Sequence, residues 1–178
     1  PRAGFGFAAN QLVVEVLMAE LSTLLAHYTF GFTKQGDEYQ FIALLGLSGE
    51  RNLYVNAEDK WLCERVPSAL RGYPFTLAVD TDLPDKVLCL AENHLTEKDE
   101  ANPIFDEEGE LAPEVAEILK FLNQCDQNRK QTQAAVGMLA DAGVIGPWPL
   151  NIELGEGVEP LSINGLYRVD EAALNNLS

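Results

Sequence analysis

Aromatic and polar residues alternate most clearly where Tyr28, Phe30 and Phe32 are separated by Thr29, Gly31 and Thr33, the period-two pattern of a strand with one aromatic face. A second apolar run, residues 39–47, follows the polar connector Lys34-Gln35-Gly36-Asp37-Glu38. The glycine there can take positive φ, so the two runs predict a β-hairpin. Phe41, Ala43 and Leu45 fall on one face of the second strand and Ile42 and Leu44 on the other, which places it inside a sheet covered on both sides.

Before the hairpin, Leu12, Val13, Val16, Leu17, Leu21, Leu24 and Leu25 have helical spacing, with Glu15 and Glu20 near the opposite face. The β-branched Val13, Val14 and Val16 suit a strand equally well, so the helix is expected over residues 17–26. The opening Phe5-Gly6-Phe7-Ala8 suggests a short strand. After the hairpin come the turn Ser48-Gly49-Glu50-Arg51-Asn52, a short strand at 53–55, and one helical turn opened by Pro67 and stopped at Tyr73-Pro74. Residues 75–79 and 86–91 read as strands joined by the loop 80–85. Phe105-Asp106-Glu107-Glu108-Gly109-Glu110 reads as a tight turn with Gly109 at its strained position.

Val115, Ile118, Leu119 and Leu122 predict a helix opened by Pro113. Ala135, Met138, Leu139 and Ala142 predict a second over 130–142 ended by Gly143, and together they suggest an αα-hairpin. Strands return at 148–154 and 161–169, and Asp170 is placed to cap a last short helix. The expected architecture is α+β: a mostly antiparallel sheet from residues 28–91 and 148–169, with an N-terminal helix and a helical hairpin from the C-terminal half packed on it. At 178 residues and 47% hydrophobic composition, one compact domain spanning 1–178 is expected, trimmed at the front since it does not begin with Met.

Twelve Lys and Arg stand against twenty-eight Asp and Glu, a net charge of −16, which opposes approach to nucleic acid or an anionic membrane. Residues 92–117 carry ten of the acids and one base, Lys98, and predict an acidic surface in place of an active site. No apolar stretch approaches the roughly 20 residues needed to cross a bilayer, and the N-terminus is not patterned as an export signal. Three scattered cysteines, Cys63, Cys89 and Cys125, fit neither a disulfide framework nor a CxxC metal site. A cytoplasmic protein is expected.

Chemistry-bearing spacings are sparse. His27 and His94, the two histidines, show no metal-ligand spacing, so no metal and no cofactor are expected. Gly46-Leu47-Ser48-Gly49 lacks the spacing of a nucleophile elbow, and the acids before Gly109 lack that of a Ca²⁺ loop. Cys63 has cations near it in sequence, whereas Cys89 reads as an inert thiol in an apolar strand. The functional candidate is the segment holding Trp61, Arg65, Arg71 and Tyr73, a local excess of arginine and aromatic residues in an acidic chain. Such groups stack on rings, bind carboxylates or phosphates, and anchor protein interfaces. They also serve to tie down a loop and cap a core.

Several blocks resemble one family: His27-Tyr28 leading into Phe32-Thr33-Lys34, residues 41–47 (FIALLGL), Asn52-Leu53-Tyr54-Val55, Trp61, and residues 66–75 (VPSALRGYPF). Leu88-Cys89-Leu90, Phe105-Asp106 with Gly109, Thr132 and residues 165–170 (GLYRVD) extend the resemblance. These are similar to the SapC family, with Leu-Arg-x-Tyr-Pro-Phe the most specific block. The resemblance implies a bacterial protein of undefined biochemistry, linked by name to the surface layer. Two functions follow as expectations. The first is a non-enzymatic binding or assembly protein using the segment 61–75 for a protein partner or a small anionic ligand. The alternative is an enzyme or enzyme accessory with a pocket formed by dispersed loops, in which Arg71, Tyr73 and His27 position a ligand.

Overall fold

The computed structural model describes residues 4–49, 51–79, 86–96, 102–153, 155 and 157–177. In chain order its strands are β1 (Val13–Glu15), β2 (Phe30–Gln35), β3 (Glu38–Leu44), β4 (Phe75–Ala78), β5 (Val87–Leu90), β6 (Ile145–Pro147), β7 (Leu150–Ile152), β8 (Leu161–Ile163) and β9 (Tyr167–Val169). The α-helices are α1 (Leu21–Leu24), α2 (Ser68–Arg71), α3 (Pro113–Asp141) and α4 (Glu171–Asn175). The chain divides into two compact units, Pro1–Ala69 with Asn128–Ser178, and Leu70–Gln127. The architecture is α+β, and among the described residues all strand pairings are antiparallel.

The first unit is built on a five-stranded sheet in the order β1-β3-β2-β9-β6. From Phe30 onward the aromatic alternation becomes β2, with Tyr28 left outside the strand, and Gly36 takes φ 60 in the turn to β3. β3, apolar on both faces, lies between β1 and β2, as its composition requires. Phe32 faces Phe41 across the hairpin with ring centroids 5.5 Å apart, and Phe32, Ile42 and Ala43 are buried. The sheet recruits residues not expected in it. Val13, Val14 and Glu15 pair with β3, because branched side chains fit a pleated surface better than a helix. The predicted helix over 17–26 shrinks to a 3-10 turn, Met18–Glu20, followed by α1. Phe5–Ala8 is a 3-10 turn in place of a strand. β7 and β8 form a separate two-stranded ladder.

Pro113–Asp141 is one helix, α3, and the expected αα-hairpin is corrected accordingly. Between Pro113 and Gly137 no glycine or proline interrupts the chain, and the polar residues between the two predicted helices find polar partners. Within the first unit, Arg129 Nε donates to both carboxylate oxygens of Glu15 at 3.0 and 2.8 Å. Thr132 Oγ1 accepts from Met18 N at 3.0 Å and donates to the Asn128 carbonyl at 2.8 Å, and Gln133 Nε2 donates to the Tyr39 carbonyl at 3.1 Å. Glu15, expected on an outward helix face, is therefore tied to α3. The helix ends at Gly143, φ 69, where Val144 N donates to the Leu139 carbonyl and Gly143 N to the Ala140 carbonyl, the paired bonds of a Schellman cap. Asp170 caps α4 by accepting from Ala172 N and Ala173 N, each at 3.0 Å.

In the second unit β4 and β5 form their own ladder rather than extending the main sheet. The predicted loop 80–85 and the acidic run 97–100 lie outside the described residues. Asp126, 9% exposed, accepts from the Lys86 ammonium, so the acid in the middle of α3 is neutralised within its unit. Burial without that partner would be costly.

Candidate functional site

A small hairpin after β3 carries Trp61. Asn56 N donates to the Lys60 carbonyl at 3.0 Å and Leu62 N to the Tyr54 carbonyl at 2.8 Å, closing an isolated antiparallel bridge between Val55 and Trp61. The Asn56 side-chain oxygen accepts from Glu58 N at 2.9 Å and Lys60 N at 2.8 Å, an Asx arrangement that asparagine favours. Asp59 takes φ 59 in this turn.

Four rings of the first unit meet on this hairpin. Tyr28 stacks on Tyr54 at 4.7 Å between centroids, and Tyr54 stacks on Trp61 at 5.7 Å with the planes 18° apart. Phe5 then lies 5.2 Å from Trp61. The Tyr28 hydroxyl is the pivot: it accepts from Trp61 Nε1 at 3.0 Å and donates to the Arg65 carbonyl. Tyr54 donates its hydroxyl proton to the His27 carbonyl at 2.9 Å. Burial, opposed by the Trp61 hydrogen bond and reinforced by the neighbouring Cys63 thiol, pushes the Tyr28 phenol well above its ordinary range. Burial, followed by Cys63, pushes Tyr54 in the same direction. Both phenols are held neutral as hydrogen-bonding posts.

The loop beyond Trp61 is pinned at a second point. Glu20 accepts from Ser68 N and Ser68 Oγ, both at 2.7 Å, and so supplies the start of α2 with a carboxylate cap. The carbonyl of Arg65 is thereby fixed, while its side chain is exposed and makes no ion pair among the described residues. Leu53 and Leu62, each adjacent in sequence to a ring of the stack, are 59% and 63% exposed.

The family model for SapC matches residues 1–178, the whole chain. This chain belongs to the SapC family. No curated protein and no solved structure matches it significantly.

In this SapC-family protein the four candidates divide. Trp61 and Arg65 converge on the Tyr28 hydroxyl in the first unit. Arg71 and Tyr73 belong to the second, where the Arg71 guanidinium lies 4.8 Å over the Phe121 ring. Tyr73 shares a 2.9 Å hydrogen bond with His94 Nε2, its ring edge-on to the imidazole at 5.1 Å. Gly72 sits so close to Leu122 that a Cβ would stand 2.6 Å from Leu122 Cδ2. The SapC-like Leu-Arg-x-Tyr-Pro-Phe block thus has a packing duty against α3. Phe5, Tyr28 and Tyr54 are the members of the Trp61 cluster that sequence reasoning did not assemble, since they come from segments up to 56 positions from Trp61 in the chain.

Among the described residues no three His, Cys, Asp or Glu side chains are grouped to hold a metal, and no helix is long and apolar enough to cross a membrane. Ser48-Gly49 is a turn, with Gly49 at φ 68. The Cys89 thiol contacts the Val87 carbonyl at 3.8 Å within β5. A shallow open hollow along α3 is lined by Ala116, Leu119, Lys120, Asn123, Gln124 and Gln127.

Proposed function

We propose that this SapC-family protein is a non-enzymatic binding or assembly protein that holds a protein partner through the surface around Leu53, Leu62 and Arg65. One observation carries the reading: exposed Leu62 and the Arg65 guanidinium, which makes no ion pair among the described residues, stand on a loop whose backbone is fixed by Tyr28 and Glu20, with exposed Leu53 on the facing arm of the hairpin. A fixed loop presents its side chains without a large ordering cost on binding. Arginine, tryptophan and tyrosine are the side chains that most often anchor interfaces. The rings of Tyr28, Tyr54 and Trp61 stack on one another, so they act as the rigid base of the surface. The surface-layer connection implied by the family resemblance is where we would look for the partner, with residence in the cytoplasm as the starting point.

A photo-crosslinking residue at Leu62, in the full chain expressed in its native cell, should trap a partner that is lost when Arg65→Ala is added. Trapping unchanged by Arg65→Ala overturns the reading. A thermal-shift panel of small anions on wild type and Arg65→Ala separates the ligand-binding case. An anion at 100 times its Kd would stabilise the wild type by about 2.7 kcal/mol, and its loss in the variant without any trapped protein would replace the protein partner by a small ligand.

A further inference from the structure

One end of the aromatic stack is covered by the chain itself. Phe5 N donates to the Asp59 carbonyl at 2.6 Å, while the Phe5 ring lies on Trp61 at 5.2 Å and on Phe7 at 6.0 Å. The residues on either side of Phe5 are glycines that press against the same turn. A Cβ on Gly4 would stand 2.7 Å from both the carbonyl oxygen and the Cβ of Asp59, and one on Gly6 would stand 2.8 Å from the Asp59 carboxylate atoms. The turn thus meets a donor, a ring, one position at Gly4 where the Asp59 backbone leaves no room for a side chain, and one at Gly6 crowded by the Asp59 carboxylate. Asp59 itself holds φ 59, a conformation that glycine adopts more easily, and its carboxylate is the group that faces Gly6. Beyond this contact the chain is anchored separately, by Asn52 Nδ2 donating to the Ala8 carbonyl at 2.9 Å.

We propose that the turn from Asn56 to Trp61 is a recognition site for a glycine–aromatic–glycine peptide segment, occupied here by residues 4–6 of the same chain and able to take such a segment from another protein when they leave. This goes beyond the partner surface at Leu53, Leu62 and Arg65 and does not depend on it. The recognition has three parts. The Asp59 carbonyl accepts the backbone N–H of the aromatic residue, Trp61 takes its ring, and the backbone of Asp59 excludes a side chain before it. Exclusion after the ring is weaker, because there the obstacle is the Asp59 side chain, which can rotate.

The test uses the full chain with Phe5→Ala and the probe peptide acetyl-Gly-Phe-Gly-Phe-Ala-amide, with binding read from the Trp61 indole N–H signal by NMR. The peptide should bind Phe5→Ala at least tenfold more tightly than wild type, and acetyl-Ala-Phe-Gly-Phe-Ala-amide should bind the variant at least tenfold more weakly. Absence of binding to a folded Phe5→Ala, equal affinity for wild type, or equal affinity of the two peptides each overturns the proposal. Should Phe5→Ala fail to fold, Gly4→Ala in the full chain takes its place: the Trp61 indole signal should shift and chymotrypsin should cut after Phe5 or Phe7 faster than in wild type. An unchanged signal and cleavage rate overturn the site. Crosslinking at Leu62 reads the partner surface separately, so the two readings fail independently.

Discussion

Two turns in this protein share a backbone and differ in what covers them. Val55 to Trp61 and Phe105 to Leu111 are each closed by an isolated antiparallel bridge. In each, the first turn residue accepts two backbone N–H groups on its side-chain oxygen, Asn56 from Glu58 and Lys60, Asp106 from Glu108 and Glu110. Each has a residue with positive φ at the same place, Asp59 at 59° and Gly109 at 85°. Around Gly109 nothing lies within 4 Å of a would-be Cβ, and Phe105 is 58% exposed. Around Asp59, two glycines and a phenylalanine are packed. The same local chemistry makes a bare acidic turn in one place and the base of an aromatic cluster in the other, so local chemistry makes the turn and the tertiary partners give it a role.

The largest effect should come from removing the ring that distinguishes the two. Trp61→Ala should lose about 3 kcal/mol in urea unfolding, toward the lower end of buried Trp truncations because Trp61 is half-buried, whereas the equivalent change at the other turn, Phe105→Ala, should cost less than about 0.5 kcal/mol. Equal losses would abolish the distinction.

Tyr28→Phe comes next. It leaves Trp61 Nε1 and the Arg65 carbonyl without their shared partner and should cost about 1–2 kcal/mol. It also changes the alkaline limb. Tyr28 and Tyr54 have folded-state values raised above 10.0, so their contribution is fully present below about pH 10. It is lost as pH rises beyond that, because the unfolded chain ionises first. The wild-type Tm should therefore fall steeply above about pH 10, and the fall should be shallower in Tyr28→Phe; parallel curves would sink the assignment. Gly109→Ala forces an L side chain into positive φ and should cost about 1 kcal/mol. Asn56→Ala and Asp106→Ala each remove two side-chain acceptor bonds and should cost about 1 kcal/mol apiece, with a marked inequality pointing to the packing on the first turn. The smallest stability change belongs to Asp59→Gly, within about 0.5 kcal/mol because relief of positive φ offsets the lost carboxylate contact; its sharper readout is faster chymotryptic cutting after Phe5 or Phe7.

Patterns confined to a few neighbouring residues were legible. The alternation at Tyr28, Phe30 and Phe32, the glycines at 36, 109 and 143, and the Asp170 cap all express backbone preferences that do not depend on distant chain. The acidic turn at 105–110 was readable for the same reason. The middle of α3 was misread because its buried face is polar, and a buried Asp126 or Thr132 looks solvated until Lys86 or Met18 supplies the partner. Val13 to Val16 could be helix or strand until the free edge of β3 took them up. Within the candidate site, Trp61 and Arg65 were visible as an unusual local composition. Tyr28, Tyr54 and Phe5 were not, since nothing in their spacing relates them to Trp61.

By itself the sequence determined the hairpin at the heart of the sheet, the turns, the helix caps, the acidic character and membership of the SapC family. These rest on local conformational energy, on charge, and on distinct motifs spread along the chain. Tertiary structure alone decided that α3 is continuous, that Trp61 and Arg65 share one hydroxyl while Arg71 and Tyr73 serve another unit, and that residues 4–6 cover the Trp61 turn. Each of these depends on which distant groups arrive to satisfy a donor, neutralise a charge or fill the space beside a glycine, and pairings of that kind leave no trace in one-dimensional spacing.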